Sequence, residues 1–339
     1  MSASNQHETA ARGVQWRPDF AALDQELAPV YQALDQLRES YRAKKQSVLL
    51  QCLAIALGLA LLGLVFTATA NEPGMLWIAG LGGMIIAIIY GAIRLGNFSS
   101  TYRGIFKNEV FRRVTQSIAP GMVYEPHRCV DQSFFQECGL FSSRIDRYRG
   151  EDYFAGSVDQ TGLLFSELHV EREESSTDSK GNRSTRWVTV FRGLFLVVDF
   201  HKEFRGQTMI QTDVAESMFG WLGRKLQNFS GDLVRLENPE FERAFKVRST
   251  DQVEARYLLT PAMQERLLDM RRHWGHHIQF TLRRSLMFIA IPKSDNWFEM
   301  AGHQEGSYRP VVKLFASQLL SLLAIVHTLD LNTRIWTKE

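Results

Sequence analysis

The sequence predicts an α+β domain with antiparallel β-hairpins, preceded by a two-helix transmembrane hairpin and an N-terminal amphipathic helix. A stretch without Lys or Arg covers residues 47–93, where Glu72 is the only acidic residue. Beyond residue 121, short apolar strands separated by turn signals are grouped apart from helices that begin at proline. This grouping is typical of an α+β architecture rather than a doubly wound sheet.

The composition excludes several classes of protein. Hydrophobic residues make up 45% of the 339 residues, which is too many for a disordered chain. The net charge of +2 is too small to suggest a nucleic-acid partner. Three cysteines, Cys52, Cys129 and Cys138, form no CxxC pair, so neither a disulfide scaffold nor a zinc or redox site is expected.

The N-terminal region is predicted to be a flexible segment, residues 1–18, followed by an amphipathic helix over 19–46. Its apolar residues recur at heptad-like spacing: Leu23, Leu27, Val30, Leu34, Leu37 and Tyr41. Two interpretations stay open, a coiled-coil dimerisation arm and a helix packed on the protein's own domain. The stripe is shorter than three heptads and contains Pro29, which favours packing on the same chain.

Two uncharged segments predict transmembrane helices. Residues 48–70 would span about 34 Å as a helix and residues 74–93 about 30 Å, close to the thickness of a bilayer core. The connection 71–73 contains Glu72 and Pro73 and breaks the helix. Basic residues lie before the first segment and after the second, and none lies in the connection between them. The positive-inside rule therefore predicts a multi-pass protein of the inner membrane with both termini in the cytoplasm.

Small residues predict how the two segments pack. Ala79, Gly83, Ala87 and Gly91 recur every four residues in the second segment, and Ala56 and Ala60 continue a similar stripe in the first. Such stripes allow two backbones to approach closely in lipid.

A juxtamembrane stalk helix is predicted over 97–120, ending at Pro120 and Gly121. Its basic residues are candidate contacts for anionic lipid: Arg103, Lys107, Arg112 and Arg113. The alternative is a solvated face that carries only the topology signal.

The remaining residues, 121–339, form the predicted α+β domain. Hairpins are expected over 154–171, with a polar loop after it at 173–185, and over 278–291. Asn238-Pro239 and Thr260-Pro261 each combine an N-cap with proline at the first helical position, and Asp213 opens a further helix over 213–226. Residues 311–329 form an apolar helix that we expect to be buried in the domain rather than to cross the membrane.

No motif with a known catalytic mechanism is present, so we predict no catalytic, metal or cofactor-binding residue. The histidines at 273, 276 and 277 are interpreted as a surface turn. Glu151 and Asp152 stand at a strand start, where solvated carboxylates are ordinary.

Several stretches resemble one family of bacterial membrane proteins, grouped as domain of unknown function 3137. They are RYRGED at 147–152, FRGLF at 191–195 with Asp199-Phe200, QVEARYLLTP at 252–261 and LNTRIW at 331–336. The similarity covers roughly residues 100–338. The resemblance implies a membrane-tethered cytoplasmic domain and no activity, since the family carries no established catalytic residues.

The sequence therefore favours a binding or scaffolding protein held at the inner face of the membrane, with the bilayer and a protein partner or second copy as its contacts. One alternative is a membrane-anchored enzyme whose site assembles only in three dimensions, with His169, His201, Glu167 or Asp199 as parts. Another is a structural homo-oligomer built through the 23–41 stripe.

Overall fold

The structure, a computed structural model, describes residues 19–70, 74–177, 183–200, 202–212, 231–299 and 308–329. The predictions for the first 18 residues, for a helix over 213–226 and for the motif at 331–336 lie outside these ranges. The chain divides into two compact units, Phe20–Val110 and Phe111–Glu339.

The first unit is helical. Helix α1 runs over Phe20–Ala70 and α2 over Gly74–Phe106. The two helices are antiparallel, because the Cys52 thiol donates to the Ala87 carbonyl at 3.2 Å and the Tyr90 hydroxyl donates to Gln51 at 2.9 Å. The predicted amphipathic segment and the first uncharged segment thus form one unbroken helix.

The heptad-like stripe of α1 is largely buried within the single chain. Leu23, Leu27 and Leu34 are at most 2% exposed. Leu34 also lines a small cavity together with Ile105 of α2 and the nearby Glu109. This part of the stripe therefore faces residues of its own chain.

Helix α2 is followed in the sequence by a π-helical turn, Lys107–Phe111, and by α3, Arg112–Ile118. Helix α3 ends just before Pro120 and Gly121. Proline cannot donate the backbone hydrogen bond that would continue the helix beyond this point.

The second unit contains a sheet of nine antiparallel strands among the described residues. The strands are β1 Met122–Glu125, β2 Arg147–Val158, β3 Thr161–Thr177, β4 Arg183–Asp199, β5 Gln207–Gln211, β6 Asp232–Val234, β7 Lys246–Ser249, β8 Gln279–Arg283 and β9 Leu286–Pro292. Their order across the sheet is β1-β2-β3-β4-β9-β8-β5-β7-β6. An antiparallel sheet with separate helices confirms the α+β prediction.

The two predicted hairpins are present, but the described residues of the polar loop expected over 173–185 belong to strands. Strand β3 continues to Thr177 and β4 resumes at Arg183. Polar pairs across the strands hold this extension: Arg186 forms an ion pair with Glu174 at 2.7 Å, and the Ser176 and Ser184 hydroxyls are 2.9 Å apart. The segment is polar because it is an exposed two-stranded ribbon, in which polar side chains pair across the strands, and not because it is a loop.

Five further helices accompany the sheet within the described ranges: α4 Gln132–Glu137, α5 Pro239–Ala244, α6 Gln252–Leu258, α7 Pro261–Trp274 and α8 Arg309–Thr328. The predicted caps are confirmed, since the Asn238 side chain accepts from Glu240 N–H and the Thr260 side chain from Met263 N–H. Helix α7 ends at Gly275, whose φ of 109° is accessible chiefly to glycine.

Apolar side chains cover both faces of the sheet. On one face, Phe135 of α4 stacks on Phe141 at 4.7 Å and packs near Phe195 of β4. On the other face, Phe315 of α8 stacks on Phe111 at 3.8 Å. The long β3 and β4 strands therefore lie between two apolar layers.

Two helices in the described part of the chain are long and apolar enough to cross a membrane, Phe20–Thr69 and Arg309–Thr328. They differ in burial, because 67% of the most apolar window of α8 is buried against 11% of that of α1. Length and composition alone are weak support for a membrane span, and α8 is packed as a core helix.

Candidate functional site

A cavity of about 460 Å³ lies over β2, β3 and β4 and is closed on one side by the segment that follows β9. Alternate residues of these strands face it. Arg149, His169 and Arg192 stand in register as one cross-strand row. Glu151 and Glu167 stand in register in the adjacent row, with Glu167 less than a tenth exposed. The cavity thus brings a cationic row against a pair of carboxylates.

Two glycines allow close backbone approach beneath the cavity, Gly150 between β2 and β3 and Gly193 between β4 and β9. Gly150 and Gly193 flank Leu168 in register. A Cβ added at Gly150 would lie 2.2 Å from the Glu167 carbonyl oxygen, and one at Gly193 would lie 2.1 Å from the Ile291 carbonyl oxygen. Gly193 also has a φ of 146°, in the region that side chains rarely adopt. Both positions require glycine.

Asn296, on the segment after β9, connects the two halves of the cavity. Its side-chain oxygen accepts a hydrogen bond from Arg192 at 3.1 Å, and its amide donates to Glu151 at 3.2 Å. The Phe298 backbone N–H donates to the Glu167 carboxylate at 2.6 Å. These contacts tie the segment to three strands and fix the orientation of its polar side chains.

Burial lowers the pKa of two groups in the cavity. Desolvation lowers the pKa of His169, and the neighbouring Arg192 and Arg149 add to the effect while Glu171 opposes it. Desolvation alone lowers the pKa of Lys293, whose ammonium stands 5.1 Å from the centre of the Trp297 ring. Burial therefore favours the neutral form of His169 and disfavours the charged ammonium of Lys293 relative to its ordinary state.

The structure brings together some of the residues considered from the sequence and separates others. Glu167 and His169 line the cavity, whereas Asp199 pairs with Leu286 in the sheet and does not line it. His201 lies outside the described residues. Glu151 lines the cavity, so it is not simply a solvated carboxylate at a strand start.

Sequence reasoning missed Arg149, Arg192 and Lys293. A signal for Arg192 exists, because it is a charged residue between Phe191 and Gly193 in an otherwise apolar strand. The row formed with Arg149 depends on strand register, which local patterns do not give.

Among the described residues, no three His, Cys, Asp or Glu side chains are arranged to hold a metal ion.

The basic residues considered for lipid contact differ in exposure. Arg103 and Arg112 are exposed and Arg113 is half-buried, whereas Lys107 is 2% exposed. Lys107 is therefore the least available of the four to a lipid headgroup.

The small residues of α2 face α1 where their side chains are described. A Cβ added at Gly83 would lie 3.1 Å from the Leu59 Cβ, and one at Gly91 would lie 3.4 Å from the Cys52 Sγ. Ala87 is buried, and Ala56 and Ala60 of α1 are half-buried. The side chain of Ala79 lies outside the described set.

The fold and cavity define an α+β domain with a polar, mixed-charge cavity that follows a long helical hairpin. Residues 189–331 match the model of the family described as "Protein of unknown function (DUF3137)", which confirms the family resemblance found in the sequence. The match includes the part of β4 from residue 189 onward, β9 and the segment with Lys293 and Asn296, but neither β2 nor β3.

No curated protein matches the chain. Among solved structures, the chain is similar to the mycobacterial trehalose monomycolate transport factor A, with 9% identity and a TM-score of 0.32. The similarity covers 65% of this chain and 94% of that protein. A likeness this distant supports no assignment of fold or function.

Proposed function

We propose that this chain is a multi-pass protein of the inner membrane whose α1–α2 hairpin anchors a cytoplasmic α+β binding module. The observation that carries the anchoring is the exposure of large apolar side chains on the hairpin. Fifteen of those whose side chains are described between residues 49 and 93 are more than half exposed: Leu49, Leu50, Leu53, Leu57, Leu61, Leu62, Leu64, Val65, Leu81, Met84, Ile85, Ile86, Ile88, Ile89 and Ile93.

Exposed apolar surface on this scale is unfavourable in water. Each large aliphatic side chain gains about 1.5–3 kcal/mol when it is fully removed from water. Contiguous apolar patches of this size mark membrane or protein contacts. A lipid environment suits the hairpin better than a protein partner, because the exposed residues surround both helices and residues 47–93 contain no Lys or Arg.

The charges that flank the hairpin support the orientation. Arg42, Lys44 and Lys45 precede the uncharged stretch, and Arg94 follows it. The connection between the helices contains Glu72 and no basic residue. The positive-inside rule therefore favours a cytoplasmic location for both ends of the chain.

Ligand binding is the role that the cavity supports best. Its opposed cationic and acidic halves, held in place by Asn296, form convergent polar groups around one space, which is the usual construction of a small-molecule site. The Glu151 and Glu167 carboxylates already accept hydrogen bonds from Asn296 and Phe298. These bonds suit carboxylates that orient a bound ligand better than carboxylates that act as a general acid or base.

The alternative of a homo-oligomer built through the 23–41 stripe has less support. Leu23, Leu27 and Leu34 are already buried within one chain, so they have little apolar surface left to bury against a second copy.

Membrane extraction and reporter fusions test this proposal. The full chain is expected to remain in the membrane fraction after an alkaline carbonate wash. A reporter active only outside the cytoplasm should be active after Glu72 and inactive after Glu339. Release of the chain by carbonate would overturn the anchoring, and an active reporter after Glu339 would overturn the orientation.

A further inference from the structure

Two cations at the cavity have no acidic partner within 4 Å in the described part of the chain. The Arg192 guanidinium donates to the neutral amide of Asn296, and the Lys293 ammonium stands over the Trp297 ring. The third cation, Arg149, is different, because it forms an ion pair with Glu171 at 3.3 Å. These two positive charges therefore form no ion pair with the described residues, although Glu151, Glu167 and Asp295 also line the cavity.

Arg192 and Lys293 are also held close together by the backbone. The Lys293 N–H donates to the Arg192 carbonyl at 3.0 Å, at the point where β9 leaves the sheet beside β4. Like charges on neighbouring residues repel each other, and an anion bound between them replaces this repulsion with attraction.

From this pairing we propose that the cavity binds the phosphate monoester group of a small organic molecule, with Arg192 and Lys293 as its principal ligands. This rests on the proposed binding function and names its ligand class. A phosphate monoester carries a charge of about −1.5 to −2 at neutral pH, which matches two cations, whereas a carboxylate carries one negative charge. A guanidinium can donate two parallel hydrogen bonds to phosphate oxygens, and an ammonium adds a point charge.

The acidic half of the cavity selects the rest of the ligand. Residues two apart on a strand are about 6.6 Å apart, so a phosphate at the Arg192 row places the carbon skeleton near the Glu151 row. A carboxylate there accepts hydrogen bonds from hydroxyl groups. A hydroxyl-bearing phosphate such as glycerol 3-phosphate therefore fits the charges of both rows, and about 460 Å³ is within the range of small-molecule sites.

A phosphate monoester could come from a soluble metabolite or from the lipid headgroup of phosphatidic acid. The full-length protein in nanodiscs of phosphatidylcholine separates the two sources. Glycerol 3-phosphate is titrated calorimetrically in one arm, with succinate as a dicarboxylate control. In the other arm the nanodiscs contain phosphatidic acid, and its binding is read from the ³¹P chemical shift.

Arg192→Gln and Lys293→Gln should each weaken binding of the phosphate monoester by at least about tenfold, because each removes a charge-assisted contact. Arg235→Gln is the matched control, since Arg235 is exposed and distant from the cavity lining. Unchanged thermal midpoints establish that the variants are folded.

Binding of either phosphate source that is lost in both cavity variants and kept in Arg235→Gln supports the proposal. Equal loss in all three variants, equal binding of succinate, or no binding by the unaltered chain overturns the ligand class. These outcomes are independent of the carbonate and reporter tests, so failure of the ligand class and failure of membrane anchoring are distinguishable.

Discussion

The Tyr124 hydroxyl donates a hydrogen bond to the buried Asp152 carboxylate at 2.5 Å. Asp152 has a φ of 58° and lies in the β-bulge between Glu151 and Phe154. Burial, followed by the Asp152 charge, raises the pKa of Tyr124 above its ordinary range, so the hydroxyl remains a donor at all physiological pH values. The pair connects β1 to the β-bulge that directly follows Glu151 in β2.

Tyr124→Phe should lower the free energy of unfolding by about 2 kcal/mol, because it removes a hydrogen bond to a buried charged group. Chemical unfolding of the detergent-solubilised protein, followed by circular dichroism, measures this loss. Tyr153→Phe is the control, since the Tyr153 hydroxyl forms no hydrogen bond with the described residues, and it should change stability by less than about 0.5 kcal/mol. Equal effects of the two substitutions would contradict a stabilising role for the Tyr124–Asp152 bond.

Gly193→Ala is expected to destabilise the sheet strongly, by about 3 kcal/mol, because the new Cβ meets the Ile291 carbonyl oxygen and the backbone φ is unsuited to alanine. The cavity should lose ligand binding as well, since Gly193 lies next to Arg192. Gly162→Ala in β3 is the matched control, because its Cβ would meet only the Asp199 Cβ, at 3.6 Å. Equal thermal midpoints for Gly193→Ala and Gly162→Ala would contradict the prediction. They would show that β4 and β9 can move apart to accept the new Cβ without loss of stability.

Local signals predicted the parts of the fold that depend on neighbouring residues. Asn238-Pro239 and Thr260-Pro261 begin helices in the structure, because a side-chain cap and a proline act within one helical turn. Gly275 ends α7 because its positive φ, which glycine adopts readily, is also a property of the local backbone. The β3–β4 ribbon was mistaken for a loop, because its stability comes from pairs such as Glu174 with Arg186 across two strands.

The candidate site could be predicted only in part. Alternation in β3 places Glu167 and His169 on one face, and both were considered from the sequence. Glu151 and Asn296 are 145 residues apart, so no local pattern indicates that they meet. Asp152 was expected to be solvated, but the bulge reverses the alternation there and buries it against Tyr124.

The stability of the domain should fall as the pH is lowered from about 7.5 to about 5.5, partly through His169. Desolvation lowers its pKa from the ordinary value of 6.5, with Arg192, Arg149 and Arg147 acting in the same direction and Glu171 against them. In this range the unfolded chain takes up the proton first, so acid favours unfolding. At pH values above the ordinary pKa both states are neutral and the effect disappears.

His169→Gln should reduce the acid-induced fall of the thermal midpoint, because glutamine does not titrate. Differential scanning calorimetry of both proteins at several pH values gives the comparison. The carboxylates of the domain also titrate at the acid end, and the difference between the two proteins isolates the histidine. Equal falls of the midpoint in both proteins would mean that His169 keeps its ordinary protonation in the folded state.

Oxidation should crosslink α1 to α2 in Gly91→Cys, because a Cβ at this position would lie 3.4 Å from the Cys52 Sγ. Cys129 and Cys138 are replaced by alanine, so that only the two helix thiols remain. After copper-phenanthroline oxidation in native membranes, the denatured chain is treated with polyethylene-glycol maleimide and its gel shift is measured. The shift given by two free thiols should disappear.

Gly82→Cys in the same background is the matched control. A Cβ at Gly82 has no atom within 4 Å, so this residue points away from α1. Its thiol and that of Cys52 should remain available to maleimide after oxidation. If Gly82→Cys loses its thiols as fully as Gly91→Cys, the small residues Gly83, Ala87 and Gly91 do not form the face that packs on α1. Selective loss in Gly91→Cys establishes this face in the membrane, because close backbone approach at small residues is what holds two helices together in lipid.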